Sequence, residues 1–172
     1  RPPPFTDTPT TDSHLDCRYA RILSVAAQVK AEIDDRDFWT PSDDGQRLII
    51  TPLEEGGQIV DLIAFDIKTP DVWYLRTGNG FALGAESIEA ASHGWGAADQ
   101  RLILHATPMD WLRSSCFGAC VTQWTAESRA AVRQVPAIDV GSPKFARALR
   151  LELTRPPRIP EIEVKGMQSR AA

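Results

Sequence analysis

The chain reads as α+β: a mixed, largely antiparallel sheet of about five to six strands, packed by a long N-terminal helix and several short helices. Three observations predict it. Short apolar runs punctuated by Gly, Pro and Asn fill residues 47–83, as in antiparallel strands. The stretch RLILHATPMDWLRSSCFGACVTQW, residues 101–124, reads strand, short helix, strand. Ahead of both, Leu15, Tyr19, Ile22, Ala26, Val29 and Ile33 recur at spacings of four and three, the apolar stripe of an amphipathic helix.

In chain order, residues 1–12 form a Pro/Thr-rich arm with the composition of a disordered segment. Ser13 is a plausible N-cap for the long helix, which Asp34, Asp35 and Asp37 bring to an end. Residues 38–44 form a loop, with Pro41 and Gly45 as punctuation. Strands follow at 47–52, 58–67 and 72–76, separated by Glu54-Glu55-Gly56-Gly57 and Thr69-Pro70-Asp71. Asn79-Gly80 is the strongest short hairpin signal, because both residues tolerate positive φ, so 81–83 is expected to return beside 72–76. Residues 85–92 are a short helix ended by Gly94, with His93 at its carbonyl end.

In the 101–124 unit, Leu102, Ile103 and Leu104 make a strand buried on both faces. Thr107 caps a helix that opens on Pro108 and runs to Ser114, with Met109 and Leu112 facing inward. In the returning strand, 116–124, alternation puts Phe117, Ala119 and Val121 on one face and Cys116, Gly118, Cys120, Thr122 and Trp124 on the other. The two strands can lie parallel by a short crossover, with antiparallel or separate placement also open. Thr125 caps a helix over 126–134, residues 137–140 are a last strand, and Ser142-Pro143 starts a helix to about 153. There Phe145, Leu149 and Leu153 share one side, and Lys144, Arg147 and Arg150 spread over the other. Residues 13–153 thus make one domain, and 154–172 a Pro-rich basic tail.

Composition narrows the function. With 42% hydrophobic and 24% charged residues, the chain is globular, and no apolar run reaches a membrane-spanning length. The N-terminus RPPPFTDTPTTDS has no apolar signal core. Three cysteines, Cys17, Cys116 and Cys120, give no disulfide framework and point to a reducing, cytoplasmic setting. The net charge of −4 argues against nucleic-acid binding over the whole surface, but from Lys144 onward seven Lys/Arg face three Glu, so that segment carries +4 and the rest −8.

Four constellations could carry function. Asp61 and Asp66 stand on the strand 58–67, and AFDIKT resembles the first exonuclease motif of proofreading nucleases, in which an Asp and a Glu two residues on hold metal ions. Lys68 occupies the Glu position, and five residues along a strand put the two Asp on opposite faces. The plainer reading makes Asp66 a turn opener and Asp61 an exposed or edge residue. His105 with Cys116 and Cys120 could form a nucleophilic pair if their strands are neighbours, against a reading of the cysteines as small core hydrophobes. Among the aromatics, Trp73 and Trp95 are candidate partner-binding residues, Trp95 because it sits between glycines. Lys144, Arg147, Arg150, Arg155 and Arg158 could meet the phosphates of a nucleic acid, or form a solvated helix face. Neither a catalytic set nor a metal or cofactor motif is assigned; P-loop, G-x-G-x-x-G, G-x-S-x-G and HExxH patterns are all missing.

The segments VDLIAFDIKTPDVWYLRTGNGFALG and RLILHATPMDWLRSSCFGACV, with the helix from Thr125, resemble a family of bacterial proteins carried in prophages and integrated elements near replication or primase–helicase genes. The shared features are an apolar strand ending in Asp, Trp73/Arg76/Gly78, and Thr107/Pro108/Trp111/Leu112, over residues 57–124. The resemblance implies no activity. The expected function is a non-enzymatic accessory module, of a mobile element on this resemblance, that binds a protein or a nucleic acid and no membrane. The alternatives are a metal-dependent nuclease around Asp61 and Asp66, and a structural assembly subunit.

Overall fold

The computed structural model describes residues 26–95 and 101–156. The first strand, β1 (Ala27–Ile33), replaces the end of the expected long helix. The expected packing helix is therefore overturned wherever it can be seen; its first half, and the arm at 1–12, lie outside the described residues, as do residues 157–172 of the tail. Val29, Ala31 and Ile33 alternate inward while Gln28, Lys30 and Glu32 point out. Four is a whole number of strand periods as well as close to one helical turn, so the Val29/Ile33 spacing fits both. Buried Ala31, two residues from each, settles it.

Next come β2 (Trp39–Pro41), β3 (Gln46–Glu55), β4 (Gln58–Phe65) and β5 (Trp73–Leu75). With β1 they form a five-stranded sheet in the order β2-β1-β3-β4-β5, antiparallel at every pair. Phe38, just before β2, bridges Leu75 of β5, so the sheet curls until its two sides meet. Trp39 fills the inside of the curl with Ala31, Leu48 and Ala64. Its Nε1 donates to the Leu62 carbonyl at 2.9 Å, and the Arg76 guanidinium lies 4.9 Å over its ring. The other face carries Leu53, Ile63, Phe65 and Leu75 against the second half of the chain.

That half begins with β6 (Ala82–Leu83), α1 (Ala85–His93), β7 (Leu102–Leu104) and α2 (Pro108–Arg113). It continues through β8 (Cys120–Val121), α3 (Ala126–Arg133), β9 (Ile138–Val140) and α4 (Pro143–Thr154). The expected single mixed sheet is corrected here too: β6 pairs antiparallel with β8 and β7 pairs parallel with β9, apart from the five-stranded sheet. A parallel bridge between Leu104 and Ala119 joins the two small ladders. Ala119 and Val121 enter one core and Cys120 the other, as alternation predicts, but Trp124, expected on the Cys120 face, packs with Ala119 and Val121. Phe117, expected beside Ala119, is instead 58% exposed.

The Asn79-Gly80 hairpin does not form, because β6 pairs with β8 instead of β5. The reason lies in Asp61. Its carboxylate collects the amides of residues 77–79 and wraps the chain around itself, sending it away from β5. Glycine is required at the next junction: Gly84 has φ 67°, and a Cβ there would meet the Gly118 carbonyl oxygen at 2.2 Å. Helix starts follow the caps read from the sequence. Thr107, Thr125 and Ser142 each accept an N–H from the residue three positions on, and Thr125 with Ser128 closes a full capping box.

Candidate functional site

Asp61 is 4% exposed, which corrects the expectation of an exposed or edge position. Its Oδ1 accepts from the amides of Leu62 (2.7 Å) and Thr77 (3.0 Å), and Oδ2 from those of Gly78 (2.8 Å) and Asn79 (3.0 Å). Gln123 Nε2 clamps the same loop from outside through the carbonyls of Gly78 (3.0 Å) and Gly80 (2.9 Å). Both carboxylate oxygens are thus engaged in holding a loop. Asp66 accepts from Lys68 N at 3.1 Å and opens a turn, as expected. Among the described residues no group of three His, Cys, Asp or Glu converges as a metal site.

Within the His–Cys constellation, Cys120 is not placed to act as a nucleophile. His105 Nε2 lies 2.9 Å from the Phe117 carbonyl, and a carbonyl can only accept, so this nitrogen carries the proton. Cys120 is fully buried, and burial, aided by the Asp110 charge, pushes its thiol well above the ordinary range. It therefore stays protonated and packs as a small hydrophobe. Trp73 is half-buried and donates Nε1 to the Thr122 carbonyl at 3.0 Å, tying β5 to the chain after β8.

Trp95 is 70% exposed, as a displayed ring should be. It stacks on His93 with centroids 4.6 Å apart and planes 21° from parallel. His93 Nδ1 in turn lies 2.9 Å from the Glu89 carbonyl, which fixes the pair at the C-terminal end of α1. There it borders a feature the sequence reading did not find.

That feature is a groove of about 480 Å³ between α1 and α3. Its floor is Phe81, Ala85, Ile88, Ala130 and Ala131, and its rim is Glu55, Glu86, Glu89, Glu127 and His93. Small side chains explain the gap. Ala130 and Ala131 on α3 face Ala85 on α1, and none is long enough to fill the space between two helices. Glu86 and Glu89 stand three apart on α1, and Glu127 opens α3, so three exposed carboxylates line an apolar slot that no Lys or Arg among the described residues borders. Glu55 is committed elsewhere, accepting from Phe81 N at 3.0 Å. The signal was present in the sequence as Glu127, Ala130, Ala131 and Gln134, one helical stripe of an acid, two alanines and an amide. A stripe that weakly apolar reads as a solvated face until a second helix is placed beside it.

The far flank of α3 is held to α4. Arg129 donates through Nε and Nη2 to Glu152 at 3.1 and 3.0 Å, and Arg133 reaches the Leu153 carbonyl at 2.8 Å. Of the candidate phosphate contacts, Lys144, Arg147 and Arg150 are exposed on α4. Arg155 is paired with Glu152 at 3.1 Å, and Arg158 lies outside the described residues. No helix among the described residues is long and apolar enough to cross a membrane. No family model, no curated protein and no solved structure matches the chain.

Proposed function

We propose that this is a non-catalytic binding module and that the groove between α1 and α3 is its docking face for a protein segment. The observation that carries the reading is the groove itself. It joins an apolar floor to a rim of exposed carboxylates and ends at His93, on which the displayed Trp95 ring stacks. Such a surface suits a helix or extended segment bearing apolar anchors flanked by Lys or Arg: the anchors desolvate on the floor, the cations meet the rim, and an Arg can stack on the indole. The engagement of Asp61 with four amides supports the choice over a nuclease centred on it.

The test uses a fluorescent amphipathic Lys/Leu helical peptide at low protein concentration, with a Glu/Leu peptide of the same pattern as control. Saturable binding of the first in the micromolar range, weakened by salt and lost in Ala130→Trp, is expected. Equal binding of the two peptides, or binding unchanged in Ala130→Trp, would remove the groove from consideration. A second reading, nucleic-acid binding, is favoured by the exposed Lys144, Arg147 and Arg150 on α4. Its mark would be a gel shift whose salt slope falls in Lys144→Glu/Arg147→Glu.

A further inference from the structure

We infer that the occupant of the groove is α4 of a second copy of this chain. The inference rests on the groove reading above and identifies the ligand. Lys144, Arg147, Ala148 and Leu151 are all exposed and fall at i, i+3, i+4 and i+7, a single stripe along the outer side of α4. Leu151, at 69% exposure, stands out of this stripe as an apolar anchor without a core to enter. The groove is its chemical complement, with alanines and Ile88 on the floor and Glu86, Glu89 and Glu127 above.

Charge pairing among the described residues of one copy leaves both sides unmatched. Among the described residues, the ion pairs are Arg101–Asp139, Arg113–Asp110, and Arg129 and Arg155 with Glu152; neither the rim carboxylates nor Lys144, Arg147 and Arg150 take part. Intramolecular closure is excluded by the packing, because Arg129 and Glu152 fix α4 to the flank of α3 away from the groove. The two surfaces can therefore meet only between copies. A single such contact leaves one groove and one α4 unfilled, so copies extend head to tail into a ring or an open row, or two copies fill both contacts about a two-fold axis.

The experiment is sedimentation of the full chain over a concentration series at low and high salt. It compares wild type, the groove variant Glu86→Lys/Glu89→Lys, the helix variant Lys144→Glu/Arg147→Glu, and their equimolar mixture. Expected are a mass that climbs with concentration at low salt and falls back at high salt for wild type, and monomers for each variant alone. Mixing should restore association, since each variant then offers the charge the other lacks; a variant that had failed to fold could not recover in this way. Wild type monomeric throughout, association that survives either reversal, or a mixture that stays monomeric would overturn the inference. A monomeric wild type that still binds the Lys/Leu peptide would overturn the self-docking alone, whereas loss of both would overturn the groove reading as well. A gel shift abolished in the helix variant, with a monomeric wild type, would assign α4 to nucleic acid instead.

Discussion

Replacing Asp61 isolates one interaction whose size can be worked from the structure. Four backbone amides, at 2.7 to 3.0 Å, point at its two oxygens. A hydrogen bond to a charged acceptor contributes about 1.5–3 kcal/mol, so four would exceed about 6 kcal/mol if they acted independently. They do not, because Thr77 and Asn79 are exposed and water can take over their amides when the carboxylate is removed. Asp61→Ala should therefore cost about 3–4 kcal/mol, a large share of the 5–15 kcal/mol typical of a domain. With an m-value of about 2 kcal/mol/M, the urea midpoint, followed by Trp fluorescence, should fall by about 1.5–2 M. Asp61→Asn should fare little better, because its NH₂ group would point at the amides of Gly78 and Asn79, donor against donor. Peptide binding to the groove should be unaffected in either variant while it is folded. An Asp61→Ala protein within about 0.5 kcal/mol of wild type would refute the assignment of Asp61 as the organiser of the 77–79 loop.

The remaining predictions concern single packing sites. Gly84→Ala combines a left-handed φ of 67° with a Cβ placed 2.2 Å from the Gly118 carbonyl oxygen; a loss of about 2–4 kcal/mol is expected in thermal or urea melts, and an unchanged midpoint would contradict the close approach. Thr51 Oγ1 is buried and has no hydrogen-bond partner among the described residues, so Thr51→Val should be neutral or stabilise by up to about 1 kcal/mol, and a loss above that would reveal a hydrogen bond. Cys120, protonated and sealed in the core, should resist iodoacetamide in the native protein and react only in denaturant; peptide mapping that finds position 120 alkylated without denaturant would disprove its burial.

Local chemistry was legible wherever a short-range rule acts alone. Thr107, Pro108, Thr125, Ser142 and Pro143 announce helix starts because a side-chain oxygen or a fixed φ acts within one turn. Strand pairing in residues 46–75 followed from alternation and turn residues for the same reason. Reading failed where a distant residue overrides the local signal. Asn79-Gly80 is a hairpin turn by its own preferences, yet Asp61, nearly twenty positions earlier, captures the loop amides and sends the chain to β8. Val29 and Ile33 carry a spacing that two secondary structures share, and only their pairing, Val29 with Leu48 of β3 and Ile33 with Trp39 of β2, decides between them. Of the candidate site, Trp95 was visible as a displayed ring, but the groove was not, because it is made by two short helices meeting through alanines, a relation no single segment records.

The bridge between Phe38 and Leu75 has a consequence for how this protein meets copies of itself. A sheet whose outermost strands are long and bare invites another chain to extend its backbone ladder, the route to irreversible stacking. Here both outermost strands are three residues long, one of them ends in Pro41, which has no N–H to donate, and the bridge folds them toward each other. Backbone templating is thereby discouraged. The self-docking proposed above relies instead on side chains of the helical half, a contact that salt and dilution reverse.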